Sequence, residues 1–115
     1  MVEDYNPGRG DIVWIDFSTP VGHEQSGVRP AIVLSPVSYN AKSGLMVVCP
    51  ITSKIKGYPF EVELESSKIQ GVILADQIKT IDWQKRGVSF ADKAKLKVLS
   101  QTQALITALL GVDDI

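Results

Sequence analysis

Between Gly22 and Pro30 the chain reads Gly22-His23-Glu24-Gln25-Ser26-Gly27-Val28-Arg29-Pro30. Nine residues thus hold an imidazole, a carboxylate, an amide, a hydroxyl and a guanidinium, bracketed by glycines. His23 is the only histidine of the chain and titrates near neutrality. Arg29 stays charged at any working pH, and its planar fork can bridge two oxygens of a phosphate. The plainer reading is a polar hairpin loop, with Arg29 in a surface ion pair to Glu24 or Asp16. A second group of hydroxyls, Thr52 and Ser53, closes an apolar run and leads into a basic turn, Lys54-Ile55-Lys56-Gly57.

The elements that must position these groups follow from the pattern of apolar residues. Residues 10–17 predict a strand, with Val13, Ile15 and Phe17 on one face and Ile12, Trp14 and Asp16 on the other. Trp14 is expected in the core. Pro30 lacks an amide donor and suits the start of the next strand, 30–34, which sets Arg29 at the loop's edge. Val37 to Gly44 reads as a turn or a single helical turn. Leu45 to Thr52 is a nearly continuous apolar strand, expected to be central. Pro59 to Leu64 alternates Phe60, Val62 and Leu64 with Glu61 and Glu63, the pattern of a half-buried strand. Val72–Ala75 and Ile78–Ile81 are two more short strands, interrupted by Asp76 and Gln77. From Asp92 the period becomes helical, and Leu96, Leu99, Ile106 and Leu110 predict one amphipathic helix over 92–110. Asp92 is its expected N-cap and Gly111 its C′ residue. Short strands closed by one helix indicate an α+β, mainly β fold, a small and strongly curved sheet or barrel.

Composition narrows the function classes. A chain of 115 residues, 44% hydrophobic and 22% charged, is expected to form a single domain over 1–115 with a real core. No apolar run is long enough to span a membrane, and no leader segment is read at the start. The single cysteine, Cys49, rules out an internal disulfide framework and fits a reducing cytoplasm. One cysteine and one histidine cannot build a zinc site of the usual ligands, so the expected chemistry needs no cofactor or metal; magnesium held by carboxylates stays compatible. Twelve basic against thirteen acidic residues, a net charge of −1, argue against coating of duplex DNA by charge alone. A local groove for a few nucleotides is consistent with that balance.

The ordered runs along the chain resemble the MazF/PemK family of toxin ribonucleases. They are Gly10-Asp11 with Trp14, Asp16 and Phe17; Glu24-Gln25 with Gly27, Arg29 and Pro30; Leu34-Ser35-Pro36; Tyr39-Asn40; Pro50 with Thr52; Lys56-Gly57-Tyr58-Pro59-Phe60-Glu61-Val62; and Ala75-Asp76-Gln77 ahead of Trp83 and Arg86-Gly87. The resemblance implies an SH3-like barrel of the CcdB/PemK toxin type with a C-terminal helix. It further implies a homodimeric toxin that cuts single-stranded RNA, chiefly messages, without a metal, leaving a 2′,3′-cyclic phosphate and a 5′-hydroxyl. A cognate antitoxin with an acidic, disordered tail is the implied partner, with no membrane involved.

Carried over residue by residue, the resemblance implies catalytic roles for Arg29, Thr52 and Glu24, the last as base. His23 shares base or phosphate-contact duty or is simply solvated, since relatives carry either His or Ser there. Leu74 stands where one branch of the family has a catalytic arginine. The cationic role therefore falls to Arg29, and Asp76 is read as a base-recognition or structural residue. Gln25, Asp76 and Gln77 offer edges for reading bases; Ser53, Lys56 and Lys79 offer contacts to the RNA, with Lys54 and Arg86 also able to follow its backbone. Phe17, Tyr58 and Trp83 offer faces for stacking. The competing expectation is a non-catalytic gyrase-binding toxin on the same fold. It is disfavoured because the C-terminal Leu110-Gly111-Val112-Asp113-Asp114-Ile115 holds no aromatic residue.

Overall fold

A computed structural model describes residues 5–17 and 27–111. In chain order the elements are β1 (Asp11–Asp16), β2 (Val28–Val33), α1 (Val37–Ser43), β3 (Leu45–Thr52), β4 (Glu61–Glu63), β5 (Val72–Leu74), β6 (Lys79–Asp82), α2 (Trp83–Arg86), β7 (Val88–Lys93) and α3 (Leu96–Leu110). Among the described residues the strands form one antiparallel sheet in the order β4-β5-β3-β2-β1-β7, with β6 also paired to β3. The sheet is mainly β with a C-terminal helix, as expected, but it is open: β4 and β7 end the order rather than meeting.

Burial on both faces explains why several strands read as continuous apolar runs. On one side Ile12, Ile32, Cys49, Ile51, Ile73 and Val98 pack together, covered by Leu99, Leu105 and Ile106 of α3. On the other, Val13, Ile15, Phe17, Val33, Val48 and Trp83 pack with Tyr5 and Val88. Strand β3 is central, as its composition implied. One edge pairs with β2, while the other is shared, Leu45–Val48 taking β6 and Ile51–Thr52 taking β5. Pro50, with no amide hydrogen, sits between those two ladders.

Three expectations are corrected. Asp92 and Lys93, expected to open the helix, instead end a strand, Val88–Lys93, and α3 begins at Leu96 behind Lys95, which gives no side-chain cap. Pairing with β1 draws this segment into the sheet, where Asp92 accepts a hydrogen bond from Ser66 Oγ at 2.7 Å instead of capping. The buried face of α3 consequently centres on Val98 and Thr102, leaving Leu96 and Leu110 exposed. Gly111 does adopt the left-handed conformation that ends the helix. Second, Val37–Ser43 is a helix of seven residues rather than one turn. Its Asn40 is fully buried: Nδ2 donates to Pro7 O and Ser35 O, and Oδ1 accepts from Ser35 Oγ. Third, the two tryptophans exchange roles. Trp14 is 36% exposed, whereas Trp83 is buried and donates its indole N–H to Asn40 O at 3.1 Å. Neither ring face of Trp83 is therefore open to a base.

Candidate active site on one face of the sheet

Strand register decides which side chains converge. Residues directly opposite in an antiparallel pair project to the same face. In the β1–β2 ladder Val13 faces Ala31 and Ile15 faces Arg29. In the β2–β3 ladder Ala31 faces Pro50 and Val33 faces Val48. That ladder ends at Ala31 and Pro50, and strand alternation turns Arg29 and Thr52, two residues further along each strand, to the same face. In the β3–β6 ladder Val48 faces Lys79. Phe17 follows Ile15 on the same face by strand alternation, and its amide donates to Gly27 O at 2.8 Å. Four segments thus turn Phe17, Arg29, Thr52 and Lys79 to one face, with Lys79 level with Val48, four residues before the end of β3.

The electrostatics of that face are cationic. Arg29 is exposed, and no ion pair joins its guanidinium to another described residue, so the pairing with Asp16 does not form. Lys79 Nζ lies 5.7 Å and Arg86 Cζ 4.8 Å from the centroid of the Phe17 ring. Phe17 itself is only 7% exposed and belongs to the core, so its ring carries the two cations instead of standing open for stacking. Arg86 reaches it from α2, a single turn capped by Asp82, whose Oδ1 accepts from Lys85 N at 3.1 Å. Sequence reasoning saw Arg86 only as a cation able to follow a backbone. Its pairing with Phe17 spans 69 positions that no local pattern connects.

Thr52 is fixed by its own turn: Oγ1 accepts from Lys54 N at 3.1 Å, which leaves the hydroxyl proton available to donate. Gly71 presses against the same point, where a Cβ would stand 2.3 Å from Thr52 O. Ser53 and Lys56 are exposed beyond the end of β3. The ammonium of Lys56 lies 6.0 Å from the centroid of the Tyr58 ring, within its own loop. Asp76 and Gln77 are exposed on the turn between β5 and β6, which the hydrogen bond from Gln77 N to Leu74 O closes. Burial and then the Asp76 charge push the Cys49 thiol up to about 11, and a buried thiol of that kind is inert. His23, Glu24 and Gln25 lie outside the described residues.

The chain matches the family described as PemK-like, MazF-like toxin of type II toxin–antitoxin system over residues 8–110. It is 45% identical to the endoribonuclease toxin MazF of Escherichia coli (strain K12), over 96% of this chain and 100% of that one. Among solved structures it is similar to MazF from Deinococcus radiodurans, with a TM-score of 0.85 and 46% identity over 94% of this chain and 99% of the other. It is equally similar in fold to a MazE–MazF crystal structure from the same organism, with a TM-score of 0.85 and 42% identity over 94% and 98% of the two chains. A match over nearly the whole length, in sequence and in fold, shows that this chain belongs to the PemK-like, MazF-like toxin family of type II toxin–antitoxin systems.

Proposed function

We propose that this protein is an endoribonuclease toxin that cleaves single-stranded RNA, chiefly messages, without a metal ion. Its close relatives are named endoribonucleases, which supports the activity class. The observation that supports the chemistry is strand alternation, which turns Arg29 and Thr52 to the same face of the sheet, with no ion pair between Arg29 and another described residue. The ribose 2′-oxygen attacks the adjacent phosphorus while a base takes its proton, and the bond to the 5′-oxygen breaks. The products are a 2′,3′-cyclic phosphate and a 5′-hydroxyl, the leaving oxygen receiving a proton. Arg29 bridges phosphate oxygens and stabilises the added charge of the phosphorane; Thr52 donates its hydroxyl to the same group. Glu24 is the proposed base, with His23 as its alternative. Lys79 and Arg86 hold neighbouring phosphates, Ser53 and Lys56 contact the strand beyond Thr52, and Gln25, Asp76 and Gln77 present edges to unpaired bases.

Crystal structures titled MazE–MazF support a cognate antitoxin as partner, and a cationic face of this kind suits an acidic, disordered tail. A homodimer completes the reading.

The test is cleavage of a long transcript in EDTA. The wild-type protein is expected to cut it and to bind a 2′-deoxy analogue without cutting. Arg29→Ala is expected to lower the rate by about 10²–10³, the usual cost of removing a donor that stabilises transition-state charge. Intact transcripts, cutting only after magnesium is restored, or full activity in Arg29→Ala would overturn the mechanism.

A further inference from the structure

The loop that leaves Thr52 toward β4 carries Lys54, Lys56 and Tyr58, all exposed. An exposed loop ending in an isolated lysine would ordinarily be a floppy and weak phosphate contact. Here a carboxylate holds it. Glu61, the first residue of β4, turns its side chain back on the loop, so that Oε2 accepts from Lys56 N at 3.1 Å and Oε1 from Gly57 N at 2.9 Å. Gly57 has φ +79, the left-handed conformation that lets two successive amides point at one anion. Its Cβ position is open space, so the glycine serves this backbone shape and not a tight contact. Two further bonds fix the base of the loop, Glu61 N to Tyr58 O at 3.1 Å and Ala75 N to Phe60 O at 3.1 Å. The Tyr58 and Phe60 rings pack with centroids 5.4 Å apart, and Lys56 Nζ sits 6.0 Å from the Tyr58 centroid. In sequence Glu61 is merely the polar member of an alternating strand.

We infer that Glu61 is a positioning residue for RNA binding: it fixes the 56–57 backbone so that Lys56 stands preorganised beside Tyr58 to take a phosphate of the strand beyond the cleaved bond. This rests on the ribonuclease reading above and names a residue through which that site is organised. A carboxylate near an RNA path should by charge alone weaken binding. Positioning and plain electrostatics therefore predict opposite signs for its removal.

The experiment measures kcat and KM for cleavage of one short single-stranded RNA by wild type, Glu61→Ala, Glu61→Gln, Lys56→Ala and the double variant Glu61→Ala/Lys56→Ala. Thermal melting runs alongside, to show that each variant is folded. Glu61→Ala is expected to raise KM about five- to tenfold with kcat little changed, and to flatten the salt dependence by about 0.7 in the log–log slope, one phosphate contact on a single strand. Glu61→Gln, which keeps one acceptor oxygen toward the loop amides, falls between. The double variant is expected to match Lys56→Ala, because Glu61 acts through that lysine. A lower KM in Glu61→Ala, additive effects in the double variant, or a fall in kcat with KM unchanged would overturn the inference while leaving the ribonuclease reading intact. A wild-type protein that leaves the RNA whole would overturn both. If Glu61→Ala does not fold, Glu61→Gln decides alone by the direction of its KM change.

Discussion

At the level of single residues, the candidate site is a set of groups whose ordinary chemistry is left unspent. Arg29 faces solvent with no described carboxylate beside it, and Thr52 accepts a hydrogen bond while keeping its own proton to give. That these two residues are candidates was legible in sequence, because a guanidinium at the edge of a polar loop and a hydroxyl at a strand end are local features. That Phe17 supports Arg86 was not legible, since a ring can stack on a base or on a cation and only the fold decides. The same holds for Asp92, which sequence placed at a helix start. Its carboxylate is held below the usual range chiefly by the Ser66 hydroxyl, with help from the Lys93 amide and the Lys68 charge. A depressed carboxylate contributes stability that is present above its unfolded value of 3.8 and lost as pH falls through the folded value. Ser66→Ala should therefore be less stable than wild type at neutral pH, and the gap in melting temperature should narrow in strong acid. Thermal melts across the acid range check it; a gap that stays constant with pH would remove Asp92 from the account.

At the level of elements, the site depends on strands turning side chains to one face. The β1, β2 and β3 segments were readable because their apolar runs are long, and their order in the sheet follows from antiparallel neighbours. Strand β7 was hidden by Lys93, Lys95 and Lys97 after Asp92, which imitate the polar side of a helix. The close approach of Gly71 to the end of β3 left no trace beyond the glycine itself. It carries a consequence. Gly71→Ala would set a methyl group 2.3 Å from Thr52 O at a φ of +139, where side chains are rarely tolerated. Overpacking and backbone strain together should cost about 3 kcal/mol, a fall in melting temperature of roughly 10 °C. Cleavage should fall as well, because the displaced strand end is the one that carries Thr52. A calorimetric scan and a cleavage assay on the same preparation separate the two effects.

At the level of the whole molecule, a net charge of −1 means that the proposed RNA binding must come from placement of cations and not from their excess. The cations proposed to meet the strand are Arg29, Lys56, Lys79 and Arg86. For single strands each neutralised phosphate contributes about −0.7 to the slope of log affinity against log salt, so the expected slope is about −3. Titrating a 2′-deoxy analogue at several salt concentrations measures it, and a slope near −7 would mean that far more of the surface takes part. Composition argued against coating by charge alone and was consistent with a local groove. The open end of the sheet was not readable, because closure depends on the ladders between distant strands.

Pro50 marks where the far edge of β3 passes from β6 to β5. Strands β4 and β5 have three residues each, and β5 meets β3 only at Ile51 and Thr52. This segment meets β3 through two rungs only, although Val62, Leu64 and Ile73 bury it in the same core as Ile12 and Ile32. Loosening it costs less than dismantling the body. If the Thr52 hydroxyl serves the cleavage proposed above, opening of those two rungs on warming should lower activity before the whole sheet melts, and an activity loss that coincides with the melt would remove the idea.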